Sequence, residues 1–176
     1  SRARHSYNHK KLLDKKCSSF PSGNSTMLNR LLALSILCLC IRPVWAAEDP
    51  TVLITGSNRG IGLEIARVYA KRDWNVIATA RNPAAADDLK AIQAIHPKLR
   101  IVQLDVTDHP RIDELAAELA GQPIDILINN AAISGGHENA KFGEMNFDVY
   151  TQVHLVNVIG PTKMAEAFLP NIKLSG

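Results

Sequence analysis

The sequence predicts an α/β fold, a doubly wound parallel sheet, on three observations. From Thr51 onward, short apolar runs alternate with segments of helical period, and the connections are brief. Such alternation calls for parallel strands with helices on both faces. The second observation is Thr55-Gly-Ser-Asn-Arg-Gly-Ile-Gly62, which joins the first apolar run to the first helical segment. Glycine lets the backbone turn tightly and come close to a phosphate, and the opening N–H groups of a helix have no partners of their own. The third is the position of two polar motifs, Asp105-Val-Thr107 and Asn129-Asn-Ala-Ala132, directly after the third and fourth apolar runs. Open α/β sheets bind ligands at those carboxyl ends.

The first strand is 51–55, and its helix spans about 60–72 with Ile61, Ile65 and Val68 on one face. The second strand is 75–80. A helix follows from Pro83, which suits a first helical turn, to Ile95, where His96-Pro97 breaks it. The third strand is 99–104. Ile112, Leu115 and Leu119 keep helical step through 110–120, and Gly121 ends that helix. The fourth strand is 124–128. A loop carrying Gly135, Gly136 and Gly143 leads to a long helix over about 145–169. Pro161 stands in the middle of it. Proline has no N–H, so the carbonyl of Asn157 loses its helical partner and the helix bends.

The net charge of +3 hides two different regions. Residues 1–47 hold eight Lys/Arg and one Asp, whereas residues 48–176 hold twelve Lys/Arg and sixteen Asp/Glu. The part that folds is mildly acidic, which argues against a nucleic-acid surface. Cys17, Cys38 and Cys40 all precede Thr51, so the folded part has neither disulfide nor thiol nucleophile. Residues 1–26 are polar and basic without apolar period, and read as a disordered leader, with translated upstream sequence outside the native protein left open as its origin. Asn24-Ser-Thr26 fits a glycosylation acceptor, a match common by chance. Residues 27–46 have the form of a secretory signal peptide: a short basic region, an apolar run from Leu31 to Ile41, then Val44 and Ala46 at the −3 and −1 positions. Cleavage is expected before Ala47, with export to the periplasm or outside the cell. The run falls short of the roughly twenty residues that cross a bilayer, so no stable membrane span is expected. An uncleaved anchor is the alternative, and a misassigned start would leave the protein cytoplasmic.

The glycine spacing is G-x-x-x-G-x-G rather than the general G-x-G-x-x-G. With Asp105-Val-Thr107, Asn129-Asn-Ala-Ala132 and Asn157, it resembles the short-chain dehydrogenase/reductase family. Phe142-Gly-Glu-Met and Ala165-Glu-Ala-Phe-Leu-Pro170 are similar to its carbonyl-reductase-like branch. The resemblance covers about 51–176. It implies that residues 47–176 are a partial dinucleotide-binding domain, a Rossmann-type sheet truncated after the fourth strand and its following helix, and that the full-length protein is a homo-oligomer. It implies a small-molecule carbonyl or alcohol substrate and cofactor contacts from Gly56, Ser57, Asn58, Arg59, Gly60, Ile61, Gly62, Arg81, Asp105, Val106, Asn129, Asn130 and Ala131. In the family the Asp accepts from the adenine amine, and the Asn at the position of Asn157 belongs to the catalytic group, its free carbonyl holding a water of the proton relay. Taken alone, Asp105 reads as a helix cap. Ala132 stands where the family motif has glycine, which questions close packing there.

Charge points to NADP rather than NAD. An NAD enzyme of this type needs a carboxylate after the second strand, and this chain has Thr79-Ala80-Arg81. A guanidinium welcomes a 2′-phosphate that a carboxylate would repel. Arg59, in the glycine loop, is a second cation for the same region. The alternative for Arg81 is a solvated turn residue.

Family chemistry also needs a Ser, and a Tyr followed four residues later by a Lys. Tyr7 and Lys11 have that spacing but lie in the polar leader; Tyr69 and Tyr150 are followed by Asp73 and His154. The expected function is therefore hydride transfer between NADP and a carbonyl or alcohol, with these 176 residues an inactive N-terminal fragment. The alternative is a non-catalytic dinucleotide-binding module, exported or regulatory.

Overall fold

The computed structural model describes residues 49–139 and 141–176. The leader, the signal peptide, the glycosylation match and Tyr7 with Lys11 lie outside the described residues. Four parallel strands stand in the order β3-β2-β1-β4: β1 is Thr51–Ile54, β2 Asn75–Ala80, β3 Leu99–Gln103 and β4 Ile126–Ile128. Between them run α1 (Gly60–Lys71), α2 (Asp87–Ile95) and α3 (His109–Glu118). After β4 come α4 (Phe147–His154), a π-helical segment (Leu155–Ile159) and α5 (Gly160–Ser175).

Strand alternation builds one core on each face of the sheet. Val52, Ile54, Val76, Ala78 and Ala80 meet Leu63, Ala66 and Ala70 of α1 and Leu89 and Ile92 of α2. Leu53, Ile77 and Val102 meet Ile112 and Leu115 of α3 and Met164 and Phe168 of α5. Both faces are covered, as the alternating sequence requires. β3 and β4 are the edge strands, and the three residues of β4 are only half-buried.

Several elements differ from the sequence reading. The face of α1 turned inward is Gly62, Leu63, Ala66 and Ala70, while Ile61 is 75 % exposed and Val68 44 %. Two apolar registers share this helix, and the close seating of Gly62 on the glycine loop selects the second. The helix expected from Pro83 is split: Pro83–Ala85 form a 3-10 turn capped by Asn82, and α2 begins at Asp87. α3 ends at Glu118, before the expected Ala120. β4 opens at Ile126 because Asp125 is engaged at the foot of the sheet, its carboxylate accepting from Thr51 N–H at 2.7 Å. The last helical stretch starts at Phe147, where Asn146 accepts from the N–H groups of Asp148 and Val149, and runs on to Ser175. Pro161 is accommodated by a wide turn ahead of it: Gly160 N–H bonds to Leu155 O, five residues back.

Candidate functional site

Thr55 closes β1 and gathers the carboxyl rim. Its N–H reaches Ile128 O at 3.0 Å, and its hydroxyl accepts from the N–H groups of Asn130 (3.0 Å) and Ala131 (3.1 Å). The Asn130 amide donates in turn to Thr55 O (3.1 Å) and Gly56 O (3.0 Å). The end of β4 is thereby tied to the glycine loop. Ser57 fixes the loop from the other side. Its N–H donates to Thr79 O at 2.8 Å and its buried hydroxyl to Ile54 O at 3.0 Å. These bonds hold the loop from both sides with the chain's own groups.

The glycines divide into closed and open positions. A Cβ on Gly62 would overlap the Gly56 carbonyl oxygen and the Asn130 side-chain nitrogen, so only hydrogen fits. Gly60 has φ +59° and no atom within 4 Å of where a Cβ would stand. Its left-handed backbone, not crowding, explains the glycine, and the space above it is open. Arg59, at the N-cap of α1, makes no side-chain cap bond. Side-chain capping therefore leaves the first N–H groups of α1 available to an anion. Asn58, Arg59, Gly60 and Ile61 are all exposed along this mouth.

Arg81 follows β2 and is exposed. Among the described residues the arginines held in ion pairs are Arg67 and Arg111, so Arg59 and Arg81 keep both guanidinium groups uncommitted. Beside them, Asp105 Oδ1 accepts from Thr107 N–H (2.9 Å) and the Thr107 hydroxyl (2.8 Å). This turn leaves Oδ2 without a partner among the described residues. The cap of α3 is Asp108, which accepts from Arg111 N–H at 3.1 Å, so Asp105 taken as a helix cap is corrected. Val106 is buried next to it.

Asn157 sits in the π-helical segment, and its side chain is committed. Oδ1 accepts from Ile133 N–H at 3.0 Å and Nδ2 donates to Ile133 O at 2.8 Å, which clasps the loop after β4 to the helix. Asn129 reaches Pro161 O at 3.5 Å. Ala132 is exposed.

The sequence reading missed Thr55 and Thr79 as site residues. Thr55 directly follows an apolar strand run, a signal visible in sequence, whereas Thr79 stands inside β2 one residue before its end, where the sequence does not mark its hydroxyl as unpaired. Thr79 is fully buried, and its Oγ1 is the buried side-chain polar atom without a hydrogen-bond partner among the described residues. An unmet buried hydroxyl costs about 1–3 kcal/mol. A cavity of about 640 Å³ lined by Gly60, Ile61, Ile65, Val68 and Tyr69 runs along the outer flank of α1 and reaches the glycine loop at Gly60. Among the described residues no His/Cys/Asp/Glu cluster could hold a metal, and no helix is long and apolar enough to cross a membrane.

A family model for short chain dehydrogenases matches residues 50–176. The (+)-neomenthol dehydrogenase of Arabidopsis thaliana is 35% identical over 155 residues, covering 74% of this chain and 52% of that protein. Among solved structures, the NADPH-bound carbonyl reductase from chicken fatty liver is 36% identical with a TM-score of 0.64, covering 71% of this chain and 49% of that one. A short-chain dehydrogenase/reductase from Burkholderia multivorans with bound NADP is 32% identical with a TM-score of 0.65, covering 73% and 55%. The chain spans about half the length of the relatives it matches.

Proposed function

Because the chain belongs to the short-chain dehydrogenase family, we propose that residues 47–176 are the cofactor-holding part of an oxidoreductase. It transfers hydride between NADP and a small carbonyl or alcohol substrate. One observation carries the choice of cofactor: Arg59 and Arg81 are exposed, their guanidinium groups are unpaired among the described residues, and no carboxylate directly follows β2. The open space above Gly60, bounded by the N-terminus of α1, fits a pyrophosphate. The relatives solved with NADPH and NADP support the same reading.

Each group then has a task. Gly60 and the opening N–H groups of α1 hold the phosphates, while Arg59 and Arg81 hold the 2′-phosphate through charge-assisted hydrogen bonds. Asp105, with Oδ2 open, accepts from the base, and Val106 packs beneath it. Asn129, Asn130 and Ala131 line the channel, and Asn130 keeps the glycine loop in place through Thr55 and Gly56. Asn157 positions the loop after β4 through its two bonds to Ile133. The nicotinamide supplies the hydride chemistry itself.

Proton transfer is a separate requirement. The carbonyl oxygen must gain a proton as hydride arrives, and an amide such as Asn157 neither gives nor takes one usefully near neutral pH. These 176 residues offer Tyr-x-x-x-Lys only at Tyr7 and Lys11, in the leader. They are accordingly a binding half, inactive by themselves, and the whole protein is a homo-oligomer exported after cleavage before Ala47. NADPH consumption with a panel of aldehydes and ketones tests the reading. The expected result is no turnover by this chain and turnover by a protein that extends it with a Ser and a Tyr-x-x-x-Lys. Steady turnover by this chain alone would overturn it.

A further inference from the structure

Thr79 spends a hydroxyl where a methyl would fit. Its side chain lies on the sheet face that carries Ile77 and, across the ladder in β3, Val102, both part of the apolar core. Valine has the same shape and would leave no polar atom unpaired. The hydroxyl is nonetheless present, fully buried and without a partner among the described residues. Such an atom calls for a use in another state of the molecule.

Its place in the sheet indicates which state. Ile54 pairs with Ala78, so Thr79 lies beside Thr55, the residue whose hydroxyl collects the amides of Asn130 and Ala131. The Thr79 carbonyl accepts the Ser57 N–H of the glycine loop. Two residues further along stands Arg81, and Leu104, directly before Asp105, donates its N–H to Ala80 O at 3.0 Å. Thr79 is thus one layer below the point where the glycine loop, the end of β2 and the Asp105 turn converge.

Resting on the reading of that rim as an NADP site, we propose that Thr79 is a positioning residue for the dinucleotide. Its hydroxyl is held unpaired in the free chain and gains a hydrogen-bond partner when the dinucleotide closes the rim above it. The cost carried by the free protein is then recovered on binding, which raises affinity without an exposed contact. The device also predicts opposite effects of one substitution on the free and bound forms.

The test uses Thr79→Val and Thr79→Ser in the whole chain, with NADPH titrated by fluorescence and the melting temperature followed with and without it. Thr79→Val is expected to melt at or above the wild-type temperature when free, and to bind NADPH about five- to tenfold more weakly. Thr79→Ser keeps the hydroxyl and is expected to bind like wild type even where the lost methyl lowers stability. A merely structural hydroxyl would move the free melting temperature and leave the NADPH dissociation constant unchanged. Wild-type affinity in Thr79→Val overturns this inference alone, as does an equal loss in both variants. Absence of NADPH binding by the wild type would overturn the functional reading and this inference with it.

Discussion

The two rims of the same sheet treat their polar groups in opposite ways. At the amino rim, Lys98 bridges Asp49 at 2.8 Å and Asp73 at 2.6 Å, and these two acids hold its pKa above the ordinary lysine value. Asn75 donates to Asp49 O and Thr51 N–H to the Asp125 carboxylate. Charges there are answered by other charges of the chain. At the carboxyl rim, backbone and amide groups are tied as tightly, through Thr55, Asn130 and Asn157, yet the groups suited to a ligand are left over. The guanidinium groups of Arg59 and Arg81, one oxygen of Asp105 and the Thr79 hydroxyl have no partner among the described residues. A rigid scaffold with unspent polar groups is how a preorganised site looks before it is filled.

Substitutions should separate the rims. The largest effect is expected from Gly62→Ala, because the added methyl must push apart the Gly56 carbonyl and the Asn130 amide. A loss of about 3 kcal/mol of stability in urea unfolding, with NADPH binding abolished, is the expected outcome. Full stability would show that the loop yields and is not the rigid frame described.

Arg81→Asp should act on binding alone. Exchanging a guanidinium for a carboxylate beside a 2′-phosphate is expected to weaken NADPH by about 2 kcal/mol, roughly thirtyfold, and to move preference toward NADH. Titration of both cofactors checks this, and unchanged NADPH affinity would leave the task to Arg59. Asn157→Ala removes both bonds to Ile133 and should cost about 1 kcal/mol of stability, with faster amide exchange in residues 131–136 as its local sign.

Lys98→Met sharpens the contrast from the amino side. The lysine is half-buried at the solvent boundary and its pairs are screened, so NADPH affinity should match wild type and the melting temperature should hardly move. Since the folded pKa is raised, the contribution is complete through neutral pH and is lost as pH rises above the ordinary lysine range. A melting curve taken at alkaline pH should therefore converge for the two proteins.

The same contrast decides what could be read from sequence. The glycine loop, Asp105 and Asn129-Asn130 were legible because each stands at the end of an apolar run, a place set by chain order alone, and Asn157 because Pro161 follows it by four residues. Arg81 was legible from charge. The seating of α1 was not, since Ile61, Ile65 and Val68 make as good an apolar face as Leu63, Ala66 and Ala70. Only the contact of Gly62 with Gly56, across a turn, chooses between them. The wide turn before Pro161 and the clasp from Asn157 to Ile133 depend likewise on which segments meet in space. Thr79 was hidden for the same reason: an unpaired hydroxyl is a property of its neighbours.

The most direct test of the carboxyl rim as an NADP site is a calorimetric titration of this chain with NADPH and, separately, NADH. Saturable binding of one NADPH per chain, at least tenfold tighter than NADH and weakened by salt, is the predicted result. Equal or tighter binding of NADH, or no heat with either dinucleotide, would contradict it.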